Sequence, residues 1–170
     1  MDKPTIRYRY QQGVSLVEVL VAMVLLGVAV IGFVALQVRA VTATSESFNR
    51  SQAVSIAQDM SERMRANYGQ IAAYRQAAWA VMPTQDCYSA TCTAAQMVNF
   101  DVRLAKEVAA ASLPNGNISV SQCQASSNIC IYVAWGDTTT ASTGTNACVT
   151  STGAYAGAPE CVMMEVYNES

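Results

Sequence analysis

The stretch QQGVSLVEVLVAMVLLGVAVIGFVAL, residues 11–36, decides the fold. From Val19 it runs 18 residues, 19–36, without a polar side chain. As a helix that run rises about 27 Å, close to the roughly 30 Å of a bilayer's hydrocarbon core. One acidic residue, Glu18, stands just inside its N-terminal edge. A carboxylate at the bilayer centre costs roughly 2.5 to 3.5 kcal/mol on the insertion scale. A chain that keeps one there must let it reach the headgroups or supply a positive partner.

Ahead of this stretch, MDKPTIRYRYQQG, residues 1–13, is a short basic leader carrying Lys3, Arg7 and Arg9, with the helix breaker Pro4, and it ends at Gly13. Positive charge precedes the span and only Arg39 follows it closely. That bias keeps the leader cytoplasmic and sends the C-terminal domain outward. A secretory signal has an apolar core of about 7 to 15 residues followed directly by a small-residue cleavage site. Here the run is longer, and the small residues VTA at 41–43 lie beyond Arg39, so ordinary signal removal is not expected.

Helical character continues past the apolar run. Val41, Phe48, Ala53, Ile56, Ala57, Met60 and Met64 recur largely at spacings of three, four and seven, an amphipathic stripe, and no proline interrupts residues 14–66. The pattern predicts one helix of roughly 50 residues, about 80 Å long. Residues 14–40 would lie in lipid and residues 41–66 would pack on a soluble head. Gly69 is the expected C-cap. Gly27 and Gly32 are five apart, so they do not form the GxxxG pairing face of membrane helices.

The chain of 170 residues has room for one domain and an appendage. Its net charge is −2, and no Lys or Arg follows Lys106, whereas Glu107, Asp137, Glu160, Glu165 and Glu169 do. An acidic C-terminal half repels phosphate backbones, so no nucleic-acid partner is expected. Histidine is absent, which removes the commonest general base and imidazole metal ligands.

The six cysteines, Cys87, Cys92, Cys123, Cys130, Cys148 and Cys161, all follow the hydrophobic segment. An even count in a polar, loop-rich domain sent outward reads as disulfides made in an oxidising compartment. Many pairings are possible; the simplest joins neighbours, Cys87 with Cys92, Cys123 with Cys130, Cys148 with Cys161. The rival is a zinc site, but the spacings C-x4-C, C-x6-C and C-x12-C lack the C-x2-C knuckle. No metal and no other cofactor is expected.

Residues 67–170 read as an α+β head. A loop with Pro83 and the Cys87 to Cys92 ring leads into a second helix from about residue 93 to 112. Its apolar face is predicted at Met97, Phe100, Leu104 and Val108, and Pro114, Asn115 and Gly116 stop it. NISVSQC and NICIYVAWGD alternate as strands, with Ile129, Ile131, Val133 and Trp135 on one face and a Cys123 to Cys130 bridge tying them as a hairpin. DTTTASTGTNAC, residues 137–148, is too polar for a core and reads as a surface loop. CVMMEVYN, residues 161–168, is a last strand with Val162, Met164 and Val166 inward. Three or four antiparallel strands laid on the end of the long helix would bury both apolar faces.

On these residues, QQGVSLVEVLVAMVLLGVAVIG resembles the class III leader and N-terminal helix of type IV pilins and pseudopilins. The resemblance implies cleavage by a prepilin peptidase between Gly13 and Val14, methylation of the new amine, and Glu18 as the fifth residue of the mature chain. In a bundle of such helices Glu18 can pair with the amine of its own or an adjacent subunit, a charge-assisted contact that replaces lost hydration. The family usually carries phenylalanine first, where this chain has Val14.

The head resembles the PilV type of minor pilin through MSERMRAN, CYSATC, QMVNFDV, LPNG and IYVAWGD. That likeness implies a type IV pilin-like α+β fold and a low-abundance subunit of a tip complex that initiates pilus assembly. The implied partners are other minor and major pilins, the prepilin peptidase and the inner-membrane assembly platform. Before assembly the chain would cross the bacterial inner membrane once, with a periplasmic head. The alternatives are a minor pseudopilin of a type II secretion system and a membrane-anchored adhesin or binding module.

Catalysis finds little support. Asp86, Asp101 and Asp137 could supply the paired carboxylates of a glycosidase, but nothing in the sequence brings two together, and no enzymatic activity is expected. The loop after Asp137 lacks the alternating acids of a calcium site. The N-x-[ST] matches at Asn49, Asn117 and Asn168 are short, and the leader points away from the route that glycosylates them.

Overall fold

The computed structural model describes residues 13, 15–77, 79, 82–124, 126–142, 144 and 146–166. The leader residues 1–12, Val14, and Tyr167 and Asn168 at the end of the last predicted strand lie outside them. The chain divides into two compact units, Met1–Thr44 and Ser45–Ser170. A single helix, α1 (Leu16–Ala66, 51 residues), begins in the first and ends in the second.

In the first unit α1 has every described residue exposed. Its most apolar 18-residue window has a mean hydropathy of 3.0 and no buried residue. Apolar surface this continuous is unstable in water, and a helix satisfies its own backbone groups, as lipid requires. Where the apolar run gives way to threonines, the hydroxyls of Thr42 and Thr44 donate to the carbonyls of Val38 and Ala40, 2.7 and 2.8 Å, so they too are satisfied within the helix.

In the second unit a 3-10 turn (Tyr68–Gln70) leads to the short α2 (Ile71–Gln76), followed by α3 (Ala94–Ser112) and three strands, β1 (Asn117–Gln122), β2 (Ile129–Ala134) and β3 (Cys161–Val166). The sheet is an antiparallel meander in the order β1-β2-β3. Ile131 lies opposite Val120 on one side and Met164 on the other. Its inner face, with Ile129, Ile131, Val133, Val162 and Val166, packs in one core with Ala53, Ile56, Ala57, Met60 and Met64 of α1. The long-helix and strand-face expectations for these residues agree with what the structure contains.

Four details differ from the sequence reading. The buried apolar residues of α3 are Val98, Phe100, Val102, Ala105 and Ala109, so Phe100 is inside as expected, while Met97 and Leu104 are half-buried and Val108 is 45% exposed. The rest of the buried stripe is shifted by one position from the predicted one, to 98, 101, 102, 105 and 109, with alanine at its last two positions. Val41 and Phe48 do not join the buried stripe of α1, which starts at Ala53. Gly69 sits in the 3-10 turn without a positive φ; the helix ends instead with the Asn67 amide on the Arg63 carbonyl, 3.1 Å.

The fourth difference is the polar segment after β2. Thr138, Cys148 and Val149 are buried, and Cys148 and Val149 form a second cluster with Tyr132 and Ala134 on the other face of the sheet. All six residues of β2 are buried as a result.

Turn chemistry sets the ends of α3. Thr93 and Gln96 form a capping box in which each side chain accepts from the other's backbone amide, 3.3 and 2.9 Å. At the far end Asn115 takes a φ of 51°, and a Cβ on Gly116 would collide with the Ala109 carbonyl. The chain can therefore reverse tightly from α3 into β1 only with glycine there.

Candidate functional site

Glu18 lies in the first turn of α1. Its amide donates to the Ser15 carbonyl, 2.9 Å, and the positive end of a helix favours a carboxylate. Among the described residues no side chain pairs with it. An ionisable group within an apolar span is a functional feature by default. Gly13 is exposed with open space around its Cα. Val14 lies outside the described residues.

The head carries a second polar constellation, built around Asp101, one of the three acids weighed in the sequence as possible paired carboxylates. Asp101 on α3 is only 3% exposed. It accepts from the Tyr74 hydroxyl at 2.5 Å and from Arg63 Nη1 at 3.2 Å. Arg63 Nε binds Asp59 at 2.8 Å, and Asn67 Nδ2 reaches both Tyr74 Oη, 3.3 Å, and the Ala94 carbonyl, 2.8 Å. The end of α1, α2 and the start of α3 are thus joined through one buried carboxylate. Asp86, by contrast, is exposed and caps its own turn. The Tyr88 amide and the Ser89 hydroxyl hold its carboxyl below the usual range. Asp101 is committed to this network, and no hydrogen bond or ion pair links it to Asp86 or Asp137.

Burial, with the bond to Asp101 second, raises the Tyr74 hydroxyl well above the ordinary tyrosine range. A folded-state value raised above the unfolded one gives stability that is complete below about pH 10 and is lost as pH climbs beyond it. Substituting Asp101→Ala leaves the Tyr74 hydroxyl, on a residue with no exposed surface, without its acceptor. The expected loss is about 1 to 3 kcal/mol, read as a lower denaturant midpoint. The Arg63 pair adds little, since that side chain is 32% exposed. An unchanged midpoint would show that the network does not hold the three helices together.

The structure joins Cys87 to Cys92, Cys123 to Cys130 and Cys148 to Cys161. The second ties the ends of β1 and β2, and the third anchors the segment that covers the sheet's outer face. A cavity of about 400 Å³ opens beside the first, lined by Arg63, Asn67, Cys92, Thr93, Met97 and Asp101 among others.

Two family models match the chain. The prokaryotic N-terminal methylation motif matches residues 8–34, which include Gly13, Val14 and Glu18. The family described as type IV pilin Tt1218 matches residues 35–103, which include Arg63, Tyr74, Cys87, Cys92 and Asp101. No curated protein and no solved structure matches. The two matches abut and together cover more than half of the 170 residues. A prepilin-type helix whose apolar N-terminal span is exposed, followed by a disulfide-bonded α+β head, suits a protein anchored in a membrane before it is assembled. The chain belongs to the type IV pilin family, whose members are structural proteins.

Proposed function

We propose that this chain is a minor pilin of the PilV type, which helps to initiate pilus assembly and stays in a tip complex with other minor pilins. The observation that carries the reading is Glu18, an unpaired carboxylate within the methylation motif at the start of an exposed apolar helix. The prepilin peptidase cuts between Gly13 and Val14 on the cytoplasmic face and removes the leader, residues 1–13. The new amine on Val14, four positions before Glu18 in the sequence, can neutralise it, in its own subunit or in a neighbour. A lone subunit whose carboxylate is not met by its own amine bears the cost of poor solvation, and docking beside another subunit's amine recovers it. Docking is thereby favoured over remaining alone in lipid.

The PilV assignment rests on the head segments MSERMRAN, CYSATC, QMVNFDV, LPNG and IYVAWGD. Partners of this subunit are other minor and major pilins and the inner-membrane assembly platform. Sheared surface filaments from the native host test the reading. Intact-mass measurement should find a low-abundance species that starts at Val14, with a methylated amine. Deleting the gene should sharply reduce filament number while the remaining filaments keep normal thickness. A species that begins at Met1 would sink the processing step, and an unchanged filament number would sink the initiating role.

A further inference from the structure

The three disulfides occupy two kinds of environment. Cys148 and Cys161 have no exposed surface, and Cys123 and Cys130 are 8% and 2% exposed. Cys87 and Cys92 are half-buried, and all four residues between them are exposed, Tyr88 to 77%. Cys92 also lines the 400 Å³ cavity beside Arg63 and Thr93. In thiol–disulfide exchange a thiolate must reach a bridging sulfur, so access ranks the three bridges.

Gln85 Nε2 donates to Cys92 Sγ at 3.5 Å, but most contacts that hold this small ring do not involve its sulfurs. The Asp86 carboxylate accepts from the Tyr88 amide and the Ser89 hydroxyl, both at 3.0 Å. Arg103 Nε donates to the Gln85 carbonyl at 2.9 Å. The Tyr88 ring meets Phe100 edge-on at 4.9 Å, and the Thr93–Gln96 box starts α3. These contacts would remain to hold the segment with the bridge open.

We infer that Cys87–Cys92 is a thiol-exchange site, opened and reclosed by an external dithiol while the other two bridges stay shut. A thiolate of the dithiol enters from the cavity side and bonds to Cys92 Sγ. The Cys87–Cys92 bond breaks, and Cys87 leaves as a thiolate that takes up a proton. The dithiol's second sulfur, as thiolate, then attacks the first, closes the reagent's own disulfide and releases Cys92. Two electrons and two protons pass from the dithiol to the cysteine pair, and the reverse sequence closes the bridge.

The test is timed reduction of the oxidised full chain in detergent with dithiothreitol at neutral pH. Samples are quenched with iodoacetamide and mapped by peptide mass, with near-ultraviolet circular dichroism recorded in parallel. Cys87 and Cys92 should be labelled at least about tenfold faster than the other four cysteines, with the spectrum unchanged. Equal labelling of another pair, or labelling of Cys87 and Cys92 only as the spectrum collapses, would overturn the inference. The double variant Cys87→Ser with Cys92→Ser supplies an independent check: it should keep the native spectrum and the protection of the other two pairs. Loss of the fold in that variant would make the bridge part of the framework and equally overturn the site.

Discussion

Glu18→Ala lowers recovery of the subunit in sheared filaments by about ten- to a hundredfold, while its amount in the membrane fraction is unchanged. The magnitude follows from what the substitution removes. A hydrogen bond to a charged group contributes about 1.5 to 3 kcal/mol, and each 1.4 kcal/mol is about tenfold in an equilibrium. Membrane insertion does not suffer, because alanine removes an acid from a helix whose neighbouring side chains are apolar and exposed. The head is spared as well, since Glu18 lies in the other compact unit. Glu18→Gln, which keeps a polar group and loses the charge, should fall between the two. Quantitative blotting of filament and membrane fractions decides the matter. Parent-like incorporation of the alanine variant rejects charge pairing as the step that selects subunits, and with it the tethered binder becomes the better reading.

Trp135→Ala should cost the head about 3 to 5 kcal/mol, the range for removing a large aromatic from a packed core. Trp135 is 1% exposed and lies just past β2. Its indole N–H donates to Glu46 of α1 at 3.4 Å, and its amide to the Glu160 carbonyl at 3.1 Å. The residue thus joins helix, strand end and the segment before β3, through its side chain to α1 and its backbone to Glu160. Denaturant unfolding with the disulfides intact should show a lower midpoint at unchanged slope. Phe48→Ala is the matched control on α1: that ring is 59% exposed, and the change should stay within about 0.5 kcal/mol. If both variants lose the same stability, the buried face of α1 has been misassigned.

The long helix and the three strands were legible because each carries a period that backbone geometry imposes. An 18-residue apolar run has no stable place in water, alternation in NISVSQC admits one inward face, and ICIYVA puts Ile129, Ile131 and Val133 on one side. The face of α3 was not legible in the same way. Val98, Val102, Ala105 and Ala109 compete in the sequence with Met97, Leu104 and Val108 at the same helical spacings, and only the packed neighbours of α3 favour the first set, whereas Phe100 is buried as expected. The six residues of α2, IAAYRQ, are too few to show any period. Asp101 looked like one of several surface acids. Its burial depends on Tyr74 and Arg63, which lie 27 and 38 residues away.

The sequence by itself determined that an apolar span bearing one acid precedes an outward, disulfide-bearing α+β head, because hydrophobic period, charge bias and cysteine count act locally along the chain. Tertiary structure alone decided which side of α3 is inside, that the polar segment around Cys148 and Val149 covers the second face of β2, and that Asp101 is a buried anchor. Each of those outcomes turns on groups brought together from distant positions. Burial there is settled by whether a close-packed neighbour or a hydrogen-bond partner arrives, and no local pattern records that arrival.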